Sequence, residues 1–355
     1  MAKVSIERSA KTEKVGYGMN TRKLLAIAVL AGACAMGGCS PSGGWIIKPA
    51  PVDKTLEETT VQAATGLFVS DKVLLLDLDG LIVNDRGGGM FGPDDNPASL
   101  FIEKLDKAQA DTSVKAVVLR INSPGGGVTA SDIMHRRLKE FIAKRKIPVI
   151  AIIEDVGASG GYYVACAAEK ILAHPTSITG SIGVIVQTVS FAGTMEKLGI
   201  TARAVKSGGM KDMGSPLKPL DDKDLTVIQG MVDEYYKRFV DVVAAGRPGM
   251  KREELVKLAD GRVYSAEQAK ANGLVDELGY VDDAVAAAKA RAGTPRAKVV
   301  MYNRPLGYRS GFYSAAGLPT QFNLVNISVP GLLDLARPRF LYLWTGPEEG
   351  PAGRT

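Results

Sequence analysis

AVVLRINSPGGG at residues 116–127 and VIAIIEDVGASGG at residues 149–161 share one plan, a mainly aliphatic run that leads into a glycine-rich turn. Runs of this length, rich in Val and Ile, read as strands buried on both faces. A helical pattern follows each turn. After the first, Met134, Leu138, Phe141 and Ile142 fall on one face of a helix expected over residues 129–144, with Thr129 and Asp132 at capping-box spacing at its start. After the second, a short helix is expected over 162–168 and a strand over 170–173. Strand, helix, strand and helix in this order describe a parallel sheet covered by helices, an α/β architecture.

Toward the N-terminus, residues 73–78 (VLLLDL) read as a further buried strand and residues 100–110 as a helix. Beyond Asp221 the pattern turns mainly helical, with a long stretch over 225–245 followed by shorter ones over 266–272 and 282–291. From about Gly293 periodicity is lost in a Pro- and Gly-rich tail. That tail carries an apolar patch, Phe340-Leu341-Tyr342-Leu343-Trp344, which reads as an arm packing onto a neighbouring subunit.

The chain has 355 residues, 46% hydrophobic and 23% charged, proportions of a folded protein. Its net charge is +6, but six Lys and Arg against two Glu ahead of Cys39 supply +4 of that, and the rest is interspersed. Nucleic-acid binding is therefore not expected, since it calls for a basic stripe on the folded body. The N-terminal charges have another use. Arg22-Lys23 precede an apolar run over 24–35, and Met36-Gly37-Gly38-Cys39-Ser40 follows it. A positive start, a short apolar stretch and small residues before a cleavage point make an export signal. The run falls short of the roughly 20 residues a membrane span needs. Small residues before a cysteine resemble a bacterial lipobox, which would make Cys39 a lipidation site and the new N-terminus; an uncleaved anchor is the alternative. Residues 1–18 form a long lead-in, and Met19 would start a more compact signal. With Cys39 lipidated and Cys34 removed, Cys166 is left alone and no disulfide can form within the chain, so a large core must stabilise the fold.

Both glycine turns, 122–127 and 157–161, lie between a strand and a helix, where unpaired backbone N–H groups favour negative charge. Together they can hold an oxyanion. Phosphate is the rival occupant, but neither turn has a P-loop ending or dinucleotide spacing. Ser159 sits among small residues where a substrate carbonyl can reach it; the plainer role for such a serine is a helix N-cap. A nucleophilic serine needs a base. His135 reads as the exposed side of its helix, beside Arg136 and Arg137, and His174 as the end of a short strand before Pro175, so a Ser–His–Asp triad is poorly supported. Lysine is the other option when burial favours its neutral form.

The runs INSPGGGVTASD, GASGGYYVACAAEKILAHPTSITGSIGV, KSGGMKDMGSP and GRVYSAEQAKANGLVDELG, in this order over about residues 73–290, resemble the signal peptide peptidase A family, with its Clp-protease and crotonase-like fold. The resemblance implies a serine endopeptidase with Ser159 as nucleophile and Lys211 as general base. It also implies that Ser181 orients the lysine and that Gly126 and Gly160 supply the oxyanion donors. Lys206 is close in sequence to Lys211 but does not match the catalytic position. No metal or organic cofactor is implied. Substrates would be hydrophobic peptides such as membrane-embedded signal-peptide remnants, cut by a ring- or dome-shaped homo-oligomer. The lipobox-like start departs from the membrane helix usual in that family, which points to a lipid-anchored body in the periplasm or outside the cell. The organisation expected is an export segment (1–39), a tether (40–65), a Ser/Lys peptidase domain (66–292) and a C-terminal extension of unassigned role (293–355). An acyl-CoA enzyme of the crotonase type and a catalytically silent scaffold are the rival readings.

Overall fold

The two apolar runs pair as parallel neighbours in one sheet. The computed structural model describes residues 55–84, 96–304 and 340–345, all within the unit Val52–Thr355. Cys34, Cys39, the export segment and most of the expected tether and tail lie outside the described residues.

In chain order, β1 (Glu57–Gln62) and β2 (Lys72–Ile82) precede α1 (Pro97–Ala110), β3 (Val114–Gly127), α2 (Val128–Arg145), β4 (Val149–Ala158), α3 (Gly160–Ala165) and β5 (Lys170–Ala173). Short elements follow: β6 (Ile178–Gly180), β7 (Ile185–Val186) and α4 (Ala192–Lys197). The second half holds α5 (Asp222–Gly246), α6 (Arg252–Leu258), β8 (Val263–Ser265), α7 (Ala266–Ala271), β9 (Glu277–Leu278), α8 (Val281–Arg291), β10 (Lys298–Asn303) and β11 (Phe340–Leu343). The sheet runs β1-β10-β2-β3-β4-β5-β9. From β10 to β9 each pairing along this path is parallel, and β1 closes the far edge antiparallel to β10.

Alternate residues of the central strands face opposite sides. Leu74, Leu76, Val117, Leu119, Ala151 and Ile153 join the core under α1, α2, α3 and α5. Val73, Leu75, Ala116, Val118, Ile150 and Ile152 form the other core, against Val281, Ala284, Val285 and Ala288 of α8. Burial on both faces explains why these strands read as continuous apolar runs. The α/β architecture is therefore the one the sequence indicates.

Several elements differ from expectation. Residues 122–127 are no free turn, since the chain stays extended to Gly127 with Leu81 and Ile82 opposite Gly125 and Gly126. The second helix starts at Val128 with Gly127 at its N-cap and no side-chain cap bond, so Thr129 does not cap it. Asp132 instead accepts hydrogen bonds from Tyr163 Oη at 2.6 Å and Arg238 Nη2 at 2.7 Å. β1 falls in the stretch read as tether, and β10 and β11 fall in the stretch read as extension, yet all three are strands of the sheet. Phe340–Leu343 of the apolar patch form β11, which pairs with β3 and β7 of the same chain.

Candidate active site

β4 ends at Ala158 and α3 begins at Gly160, so Ser159 must turn the chain within one residue. It does so with φ 51° and ψ −115°, a backbone that residues with a Cβ rarely adopt. Its N–H donates to the Gly180 carbonyl at 2.8 Å, and its own carbonyl accepts from Tyr163 N–H at 2.8 Å. The residue is 1% exposed. Its Oγ is buried with no hydrogen-bond partner among the described residues, and the side chain makes no capping bond. The N-cap role would have used that hydroxyl. A strained serine with an unspent hydroxyl at a strand-to-helix corner is chemically available in a way a capping serine is not.

The two glycine turns meet at this corner. A Cβ on Gly160 would stand 3.2 Å from Gly126 N and 2.4 Å from Ser131 Oγ, and one on Gly125 would stand 2.6 Å from Gly160 N. Only glycine allows this approach, and Gly125 also has φ 101°. Ser123, fully buried, fixes the first turn: its Oγ donates to the Gly80 carbonyl at 2.6 Å and accepts from Gly125 N–H at 3.1 Å. The structure thus brings Ser159, Gly126 and Gly160 together.

Ser181 lies beside them. It is buried with φ 50°, directly follows the Gly180 that accepts from Ser159, and donates its N–H to the Arg262 carbonyl at 2.8 Å. Lys211 is not brought to Ser159. Its side chain is exposed, and among the described residues the Ser159 hydroxyl has no hydrogen-bond partner. Lys206 is committed elsewhere, with Nζ 2.6 Å and 2.7 Å from the two carboxylate oxygens of Asp212. Lys218 is held at 2.7 Å by the buried Asp224. Of the three lysines of this segment, Lys211 is the one without an ion pair among the described residues.

The histidines stand apart from the serine's chemistry. His174 sits at the end of β5, its Nδ1 2.9 Å from Thr176 Oγ1 and its ring against Tyr280. His135 is not on the exposed side of α2 but packs edge-on against Tyr163, with centroids 5.2 Å apart. Burial there pushes its imidazole down to about 4, aided by the nearby Lys139. Cys166 is buried on the helix that follows Ser159, and burial pushes its thiol up to about 12, so it is an inert packing residue. Among the described residues no cluster of His, Cys, Asp and Glu could hold a metal ion, and no helix is long and apolar enough to cross a membrane.

The model of peptidase family S49 matches residues 142–294. A protein of Enterococcus faecium named as a signal peptide peptidase SppA is 38% identical over 257 residues, covering 72% of this chain and 73% of that protein. One from Methanocaldococcus jannaschii, named as a protease, is 39% identical over 238 residues, 66% of this chain and 76% of its own. The chloroplastic serine protease SPPA of Arabidopsis thaliana is 34% identical over 262 residues, 70% of this chain but 38% of its own. The chain belongs to peptidase family S49 and is a serine peptidase. Its large sheet with flanking helices is the Clp-protease-like fold of that family.

Proposed function

We propose that this peptidase works through a Ser/Lys dyad, with Ser159 as nucleophile and Lys211 as general base, and that it cuts hydrophobic peptides such as signal-peptide remnants in a membrane. The observation that carries the reading is the Ser159 corner: positive φ, a buried unpaired hydroxyl, and two glycine turns closing on it. In this scheme neutral Lys211 takes the Ser159 proton as Oγ attacks the peptide carbonyl. The N–H groups of Gly126 and Gly160 stabilise the oxyanion, and Ser181 orients the amine. The lysine then gives its proton to the leaving amine. Water, deprotonated by the same amine, attacks the acyl-enzyme, and the proton returns to Ser159.

Lys211 must approach for this to run. It lies on a surface segment with glycine on its N-terminal side, and the region around it exposes Leu198, Ile200, Val205, Met210 and Leu217. Such a surface suits cover by an apolar peptide or by a second copy of the chain, which supports a homo-oligomer of ring or dome form. The N-terminal signal with Cys39 supports an exported, lipid-anchored protein whose catalytic body lies in the periplasm or outside the cell.

The test is hydrolysis of a fluorogenic hydrophobic peptide by the full chain and by its Ser159→Ala, Lys211→Ala and His174→Ala variants. The first two are expected to lose activity by about 10⁴-fold or more, and the third to keep it. Activity that survives Lys211→Ala and disappears in His174→Ala would overturn the assignment of the base.

A further inference from the structure

Ser159 stands at the carboxyl ends of the parallel strands, and the opposite edge of the sheet collects positive charge. There β10, β2, β3 and β4 begin and α1, α2 and α8 end. The segments that meet along it, residues 63–72, 111–115, 144–148 and 289–298, carry nine Lys and Arg against two Asp. Along the sequence these charges are interspersed; the fold gathers them. Thr65 N–H donates to the Arg296 carbonyl at 3.1 Å, Lys72 N–H to the Ser113 carbonyl at 2.8 Å and Lys298 N–H to the Asp71 carbonyl at 3.1 Å. Arg145 Nη1 continues the row, donating to the Asp111 carbonyl at 2.9 Å.

The carboxylates in reach are already engaged. Lys72 holds Glu58 at 2.7 Å and Asp111 at 2.8 Å, and Arg291 holds Glu169 at 3.0 Å. Lys144, Lys146 and Arg296 are exposed and have no ion pair among the described residues. With Glu58 and Glu169 counted, the edge keeps a surplus of five positive charges, while the whole chain after Cys39 carries only +2. The rest of the body is therefore net negative. From this edge a turn projects. Leu67 is 85% exposed and Phe68 fully so, and a Cβ on Gly66 would stand 3.7 Å from Arg296 Nη1. Phe68 has φ 60°, a backbone that bulky residues rarely adopt. The bonds from Thr65 and Lys72 fix both ends of the turn. Three helix dipoles ending at this edge account for part of the basic charge. They give no reason for two large apolar side chains at the tip.

We propose that this edge is a membrane-docking surface, in which Leu67 and Phe68 enter the headgroup region of a bilayer and the Lys and Arg around them meet anionic phospholipids. An apolar tip within a basic rim suits a folded body lying on an anionic bilayer. A purely ionic partner, such as a nucleic acid, would use the rim and leave the tip in water. A second copy docking by the same edge would set two basic surfaces face to face, which like charges oppose. The proposal depends neither on the Ser/Lys dyad nor on Cys39, because the described body alone carries the surface. It also orients that body. β4 runs ten residues from this edge toward Ser159. At about 3.3 Å per residue the nucleophile stands roughly 30 Å from the bilayer surface, so a peptide reaches it only after leaving the bilayer.

The test is hydrogen exchange read by mass spectrometry on the full chain, in detergent and on vesicles of phosphatidylcholine alone or mixed equally with phosphatidylglycerol. An N-terminal anchor would hold the chain on both vesicles alike, so the comparison isolates the edge. Amides of residues 65–70 should exchange about threefold or more slowly on the mixed vesicles than on phosphatidylcholine, and high salt should abolish the difference. The double variant Leu67→Ser, Phe68→Ser should lose the protection, and Lys144→Glu with Lys146→Glu should weaken it. All four side chains are exposed, and unchanged thermal unfolding would show that the variants fold. Equal exchange of residues 65–70 in all three states would overturn the proposal. So would protection already present in detergent that grows with protein concentration, the mark of a second copy. Equal protection by soluble polyphosphate would overturn it as well, since charge alone would then suffice.

Discussion

Ser159 holds two costs at one residue, a positive φ and a buried hydroxyl with nothing to bond. Such backbone costs about 1–3 kcal/mol, and an unpaired buried polar group costs about 1–3 kcal/mol more. A residue selected only for stability would carry neither. Ser159→Ala removes the second cost and keeps the first; Ser159→Gly removes both. Chemical denaturation should therefore rank Ser159→Gly above Ser159→Ala above wild type, with the glycine variant gaining about 1 kcal/mol after its larger unfolded-state entropy is counted. Wild type as the most stable of the three would mean that the serine makes a stabilising bond and is structural. The placement of Ser159 between small residues was legible in the sequence, as was the pairing of its turn with a second glycine turn. The inward turn of His135 was not, because a helix places several polar residues near the boundary of its buried face and only Tyr163, 28 positions on, decides which one it covers.

At the scale of elements, the central strands announced themselves because each is buried on both faces by its own apolar run. The strands that escaped notice are short or paired with distant sequence. β1 finds its partner in β10, and β11 in β3, so neither shows a local periodicity. The glycine turns were legible as functional but not as strands, since glycine carries no strand preference and the pairing of Gly125 and Gly126 with β2 comes from elsewhere in the chain. Helix ends behaved more simply where a side chain fixes them. Ser265 caps α7, accepting from Gln268 N–H while Gln268 Oε1 accepts from Ser265 N–H. This element sits against β6 through β8, whose Tyr264 is opposite Thr179 just before Ser181. Ser265→Ala should cost about 1 kcal/mol in denaturant unfolding, and an unchanged midpoint would show that the cap contributes nothing.

Across the whole molecule, a charged cluster lies on the α8 side of the sheet, midway along β2, β3 and β4. Arg120, 1% exposed, bonds Asp77 at 2.9 Å and lies 3.6 Å from Glu154. Burial pushes the Glu154 carboxyl up to about 7, with Arg120 pulling down and the carboxylates of Asp79, Asp77 and Asp155 adding to the rise. Between its ordinary 4.5 and 7 the folded protein therefore holds a proton that the unfolded chain has released. Stability must fall as pH rises through that window and level off above it. Glu154→Gln removes this component, so its advantage over wild type should grow from pH 5 to pH 8 in denaturant titrations. Parallel pH profiles for the two proteins would contradict the shift.

The central claim is that the Ser159 hydroxyl is the nucleophile, and its most direct test is covalent. The full chain would be treated with a fluorophosphonate, which phosphonylates activated serines, and the adduct mapped by mass spectrometry beside the Lys211→Ala variant. The account predicts one phosphonylated residue, Ser159, with labelling strongly slowed when Lys211 is replaced. An adduct on another serine, or peptide hydrolysis that continues after labelling leaves Ser159 unmodified, would contradict it.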